Sequence, residues 1–375
     1  MDREESKGKP ETFIKEVTFI LAVTFAGVAL QFVTGAFDFA ILAFPVNLIF
    51  LLIFIVLMAV RPSNAIGRFG TLSISIILIS VLIILSIIMG LVPENNVKNS
   101  WPFVLTYLML LVNLALVIGR RIRTFKLKDT GFMLNHLGLF ILLFSASFGS
   151  ADMERYFMKV DQGDIEWRGR STKTGVVVEL PVAVQLTDFK IEEYQTKLAL
   201  VSRKTGELLP EGKPQYSESK LNSKSHLGEW SIIVDSIIDR KKYAPAAYIE
   251  AINENSGDEH KGWVSCGNYF QSHKVLNLTD EYCIAMTYPE PKSFSSEVEV
   301  FKEGGASKKG IIQVNHPLTI GQWKIYQYSY NTQMGRNSDY SVFELVYDPW
   351  LIPAYAGIIM LFTGVMTLFC RGARR

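Results

Sequence analysis

Six apolar stretches of roughly 20 residues, nearly free of charge, constrain this chain more than anything else in it. They run from Val17 to Thr34, Phe39 to Val60, Thr71 to Val92, Trp101 to Gly119, Gly131 to Ser150 and Trp350 to Cys370. A bilayer core of about 30 Å is crossed by about 20 helical residues rising 1.5 Å each, so every stretch is a candidate membrane helix. A mean hydropathy of +0.21, with 49% hydrophobic residues, is too apolar for an ordinary soluble enzyme of 375 residues. Gly35 and Ala36 imitate a signal-peptide cleavage site, but the first span is long for a signal and a second follows at once. The chain is therefore expected to open with a helical hairpin. The fold class that follows is an α-helical membrane bundle of about six transmembrane helices with an inserted, β-rich extracytoplasmic domain.

The side on which that domain lies is read from the short loops, because Lys and Arg resist translocation. Arg61 and Arg68, then Arg120, Arg121, Arg123, Lys126 and Lys128, then Arg371, Arg374 and Arg375 fall on one side, whereas the short loops of the other side carry only Lys98. The basic loops are assigned to the cytoplasm and the large domain to the outside. Alternating segments at Val176 to Thr187, Trp230 to Ile238, Val298 to Lys302, Gly310 to Asn315, Trp323 to Tyr330 and Ser341 to Tyr347 predict half-buried strands in a sandwich or open barrel. Ser202 to Ser225 and Asn253 to His260 are expected to be loops.

Several chemistries are missing. No Walker loop, His-Glu-x-x-His or Gly-x-Ser-x-Gly occurs, and nothing supports nucleic-acid binding. No Cys-x-x-Cys-His is present, so the chain does not itself hold covalently attached c-type haem. Of its three cysteines, Cys266 and Cys283 leave a structural disulfide and a pair of buried free thiols both open, and Cys370 reads as apolar filler at a helix end.

One histidine lies inside a span. His136, in Asn135-His136-Leu137-Gly138, places an ionisable ring where it is costly, and such groups generally face a partner or a ligand. Neutral imidazole is a common axial ligand of haem iron, but a hydrogen bond to a neighbouring helix or to the headgroup region explains the residue equally well on physical grounds. His226, His260, His273 and His316 lie at no metal-ligand spacing. Asn113 and Asn47 suit interhelical hydrogen bonds, Pro45 a kink in the second span, and Gly357 with Gly364 a close approach of helices, in the bundle or to a partner.

Several segments carry a likeness when taken together: Ser100-Trp101-Pro102-Phe103 leading to Arg120-Arg121; His136-Leu137-Gly138; Leu180 to Phe189; and Pro291 to Val298. Val314-Asn315-His316-Pro317-Leu318 with Gly321, Tyr326, Gln327 and Tyr330 follows, then Asp348-Pro349 and the closing helix. In this order and spacing they resemble the ResB/CcsB-type cytochrome c biogenesis proteins (ResB-like family), the haem-handling half of a membrane cytochrome c synthase of the System II type. The likeness covers roughly 71–370 and divides the chain into an N-terminal hairpin extra to the family pattern (1–68), a three-helix core (69–150), the ResB-like outer domain (151–348) and a final helix with a basic tail (349–375). The resemblance implies that His136 is an axial ligand of non-covalently held haem b, which the protein carries across a bacterial inner membrane. It also implies presentation of that haem on the periplasmic side, with a ResC/CcsA-type membrane subunit, for attachment to apocytochrome c. The chain would be non-catalytic alone and one subunit of a holocytochrome c synthase, or haem lyase. Two rivals remain: a membrane-tethered ligand-binding or sensory protein without catalytic activity, and a transporter subunit for another small molecule.

Overall fold

The computed structural model describes residues 2–92, 96–240 and 243–372. The chain forms two compact units, one of helices (Met1–Met153 with Asp348–Arg375) and one of strands (Glu154–Tyr347). Arg374 and Arg375, counted above in the basic tail, lie outside the described residues.

The helical unit contains α1 (Asp2–Thr34), α2 (Val46–Ala59), α3 (Asn64–Arg68), α4 (Leu72–Leu91), α5 (Trp101–Arg123), α6 (Thr130–Ser147) and α7 (Leu351–Gly372). Among the described residues, five helical segments are long and apolar enough to cross a membrane: Phe13–Thr34, Leu72–Leu91, Trp101–Arg123, Leu127–Asp152 and Leu351–Cys370. The second predicted span is shorter than its apolar run. Phe39–Leu42 is a single 3-10 turn, and α2 begins only after Pro45, which caps the helix where a kink was expected. Proline lacks an N–H and turns the residue before it away from helical backbone, so the break falls there. At 14 residues α2 is about 21 Å long, short of a bilayer core. It still links the two ends of the bundle. Asn47, in its first turn, donates to Asp152 beyond α6, and at its other end Met58 O and Val60 O accept from Arg123 at the end of α5.

Helix α5 is the central post of this unit. Ser100 caps it by accepting from Phe103 N, Pro102 occupies its first turn, and Arg120, Arg121 and Arg123 close its last turn against the negative end of the dipole. Asn113, buried in mid-helix, donates to Phe69 O at 2.5 Å and accepts from Ser75 Oγ at 2.8 Å, joining α5 to α4. Phe54 on α2 meets Phe140, Phe144 and Phe148, and the last two stack with centroids 4.7 Å apart.

The β unit has two lobes. In the first, an eight-stranded antiparallel sheet has the order β13 (Ser307–Gln313), β12 (Pro291–Lys302), β3 (Val177–Glu193), β2 (Ile165–Ser171), β1 (Glu154–Asp161), β16 (Tyr340–Tyr347), β15 (Trp323–Tyr330), β14 (Leu318–Ile320). The sheet curls until its edge strands β13 and β14 lie side by side. Lys308 Nζ donates to Thr319 O at 3.0 Å there, and Leu318 covers Gly310. This nearly closed barrel encloses Met158, Val184, Leu186, Val300, Ile312, Ile325, Phe343 and Leu345, in the alternation expected of its strands.

The second lobe packs two four-stranded sheets. One has the order β10 (Leu276–Asn277), β11 (Tyr282–Met286), β4 (Lys197–Ser202), β5 (Tyr216–Glu218); the other runs β6 (Lys224–Leu227), β7 (Trp230–Ile238), β8 (Ala246–Asn253), β9 (Glu259–Ser265). Trp230, Ile232, Ile249, Val264, Leu198 and Ile284 fill the space between them. The stretch from Ser202 to Ser225, expected as loop, contains β5 and the start of β6, because β5 pairs with β4 and β6 with β7; Ser217 and Ser225 join the two edge strands through their hydroxyls. Asn253 to His260 is a tight turn capped by the Asn253 side chain, running directly into β9.

Candidate functional site

His136 lies in the second turn of α6, a helix anchored at both its start and its flank. Arg121 pairs with buried Asp129 at 2.6 Å, and Asp129 Oδ2 also accepts from Lys126 N, which fixes the turn that launches α6. Along the flank, glycines let α6 and α7 touch backbone to backbone. A Cβ on Gly138 would stand 2.7 Å from Gly357 O, one on Gly357 2.8 Å from Gly138 O, and one on Gly364 2.9 Å from Gly131 O. The small-residue face of the last span is thus used inside the bundle, against the helix that bears His136.

The imidazole is half-buried and its Nδ1 is engaged with Phe132 O at 2.9 Å. A carbonyl oxygen only accepts, so Nδ1 carries the proton and donates; in the neutral ring Nε2 keeps its lone pair. The Phe132 ring stacks on the imidazole at 3.7 Å and 23°, with the Arg121 guanidinium 5.5 Å from the centroid of that ring. A backbone carbonyl that fixes the tautomer and a ring that fixes the plane are what a histidine ligand requires of its surroundings. The donor set is a single nitrogen. Among the described residues no group of three or more His, Cys, Asp or Glu stands together as a metal site would. One imidazole suits one axial position of a haem and does not suit a protein-caged ion.

The other sequence candidates lie elsewhere. Cys266 and Cys283 are both free and buried, so the disulfide that the sequence left open is not formed. Cys266 packs in the second-lobe core with Ile284, and Cys283, next to Ile284 on β11, points to the opposite face of that strand. Burial pushes the Cys266 thiol up to about 11 and raises that of Cys283, which makes both unreactive. His226 pairs with Glu254, His260 meets the edge of Trp230, and His316 lies in the turn between β13 and β14.

Two features went unseen in the sequence. Asp152, just past α6, accepts from Phe44 N at 2.7 Å, Asn47 Nδ2 at 2.6 Å and Trp350 Nε1 at 2.7 Å, tying α2, α6 and the start of α7 into one knot. A carboxylate directly after an apolar span was the only signal. In the β unit, a cleft of about 470 Å³ between the lobes is lined by Lys190, Glu193, Tyr194, Thr196, Asp239 and Arg336. Arg336 bridges the carboxylates of Glu193 and Asp239 across it. Burial works against the guanidinium charge, but the hydrogen bonds to Asp239 and Glu193 outweigh it and raise the Arg336 pKa.

Comparison with known protein families finds a match to the ResB-like family over residues 264–339. The matched stretch runs from the end of β9 through β15 and takes in Pro291 to Val298 and Val314 to Leu318 with Gly321. It also holds turns whose backbone fits their residues: Asn315 at φ +64° and Gly321 at φ +59°. His136 lies outside it. No curated protein matches the chain. The match covers a small part of the chain, and it supports a membrane protein of the ResB/CcsB type, from a family involved in cytochrome c biogenesis.

Proposed function

We propose that this chain carries haem b across the bacterial inner membrane and presents it on the periplasmic side, where a ResC/CcsA-type subunit completes its covalent attachment to apocytochrome c. The observation that carries the reading is the His136 ring, held by Phe132 O through Nδ1 so that Nε2 is the nitrogen left to bind iron. The lone donor fits haem as cargo: one axial bond from this chain, the second from the partner, and transfer by exchange of ligands. The Gly138 and Gly357 contact holds α6 against α7, so the ring is borne on a rigid element. In the proposed orientation the arginine-bearing ends of α2, α5 and α4 face the cytoplasm and the Asp152 end faces outward. The chain's own role is binding and positioning, with no acid, base or nucleophile assigned to it.

The test is co-expression of the full chain with a ResC/CcsA-type subunit, followed by affinity purification and pyridine haemochrome assay. The expected result is co-purification of the two subunits with haem b, and formation of holocytochrome c only when both are present. A complex that forms without haem, in cells that still mature cytochrome c when this chain is deleted, would overturn the reading.

A further inference from the structure

At the end of the helical unit away from Asp152, four arginines converge on one open pocket. Arg61, Arg68, Arg120 and Arg123 line a space of about 540 Å³ between the end of α2, the short α3 and the start of α4. Two are anchored to backbone: Arg120 donates to Gly70 O at 2.9 Å, and Arg123 to Val60 O at 3.0 Å. Arg61 and Arg68 are exposed. No carboxylate among the described residues pairs with any of the four; the nearest acidic partner in the sequence, Asp129, is taken by Arg121. Four like charges held together with no carboxylate partner among the described residues repel one another, so the arrangement favours a bound anion.

A second observation belongs to a residue of the same lining. Thr71 lines the pocket and stands at the N-cap position of the 20-residue helix α4, yet it makes no side-chain cap, and its hydroxyl is buried without a hydrogen-bond partner. The first-turn N–H groups of α4 are therefore uncapped, and the positive end of the helix dipole adds to the guanidinium field. Val60, Ile66, Leu72 and Ile122, each next in sequence to a residue that lines the pocket, are exposed apolar side chains. Charge in the pocket with hydrocarbon beside it is the pattern that receives a lipid headgroup.

We infer that this pocket binds the phosphate headgroup of an anionic phospholipid, with Arg61 and Arg68 as its exposed cations and the acyl chains lying against Val60, Leu72 and Ile122. Bound there, the lipid joins α2 and α3 to α4 and α5, bracing the N-terminal hairpin that is extra to the family pattern. The inference is independent of whether His136 binds haem.

The experiment uses the purified full chain in a non-ionic detergent, titrated with phosphatidylglycerol, with phosphatidylcholine, or with inorganic phosphate, and followed by native mass spectrometry and thermal unfolding. Arg61→Gln with Arg68→Gln is compared with wild type and with Lys15→Gln plus Lys126→Gln, which removes the same charge outside the pocket. Phosphatidylglycerol is expected to stay bound to wild type and to the lysine control and to raise their Tm. It is expected to bind the arginine variant roughly 25-fold more weakly, about fivefold for each arginine. Equal binding by the arginine variant and wild type, or equal binding of phosphatidylcholine, would overturn the site. Inorganic phosphate reproducing the full Tm shift at the same concentration would overturn the lipid as its source. If the arginine variant is not monodisperse, wild type decides: affinity for phosphatidylglycerol must fall as salt rises, and a salt-independent affinity overturns the proposal.

Discussion

Replacing Asp152 by Ala should loosen α2 more than any other single change of comparable size in the helical unit. The carboxylate takes three donors, from Phe44 N, Asn47 Nδ2 and Trp350 Nε1, all within 2.7 Å. Asn47 is fully buried, so its amide has no water to turn to when Asp152 is gone. Hydrogen bonds between membrane helices contribute about 0.6 kcal/mol on average and up to about 1.7, and a charged acceptor lies toward the upper end. At ~1 kcal/mol for each of three donors the loss is about 3 kcal/mol, or roughly 100-fold in the equilibrium for local opening. Trp350→Phe removes one of the donors and keeps the ring packed near Phe144, so it should cost about 1 kcal/mol, near fivefold. Hydrogen exchange read by mass spectrometry on peptides covering 44–59 measures this opening directly. Exchange in α2 no faster in Asp152→Ala than in Trp350→Phe would refute the knot as the element that holds α2 in place.

Gly138→Leu should force α6 and α7 apart, because even a Cβ at that position would stand 2.7 Å from Gly357 O; a loss of about 1–3 kcal/mol and a lower Tm are expected, and an unchanged Tm would contradict the backbone contact. Alkylation in denaturant without reductant should add three labels by mass, one for each free cysteine, whereas a Cys266–Cys283 disulfide would leave one. The Glu166 carboxyl is held down at about 2, chiefly by the hydrogen bond from the Arg168 side chain. Its folded pKa lies below the ordinary 4.5, so the pair stabilises above that value and the contribution is lost as pH falls toward 2. Both side chains are partly exposed, so screening keeps the effect under about 1 kcal/mol; the gap in unfolding free energy between wild type and Glu166→Gln should close over that window, and a pH-independent gap would contradict it.

The apolar runs made most of the helical unit legible, because lipid leaves few alternatives to a helix of the right length. Pro45 set the exception: hydropathy alone ran Phe39 to Val60 together, whereas the backbone rule for proline divides that run. Strand alternation located β7, β15 and β16 closely, since each has one buried face. It missed β5, three residues long, whose partner β4 supplies the burial. The two-lobed arrangement was hidden because pairings such as β1 with β16 join segments nearly 200 residues apart, and no local pattern encodes them. His136 was visible as a lone ionisable group in an apolar run. Its orienting carbonyl, four residues earlier on the same helix, was not. Asp152 and the arginine pocket were read as span boundary and orientation signals, since sequence gives the sign of a charge but not the partners it meets.

The central claim is iron ligation by His136, and the direct measurement is the visible absorption spectrum of the full chain purified with its ResC/CcsA-type partner. Wild type should show a Soret band that His136→Ala loses and that His136→Gly regains when imidazole is added, because the small molecule refills the position from which Nε2 would bind. A Soret band of unchanged position and intensity in His136→Ala, with the complex intact, would contradict the account.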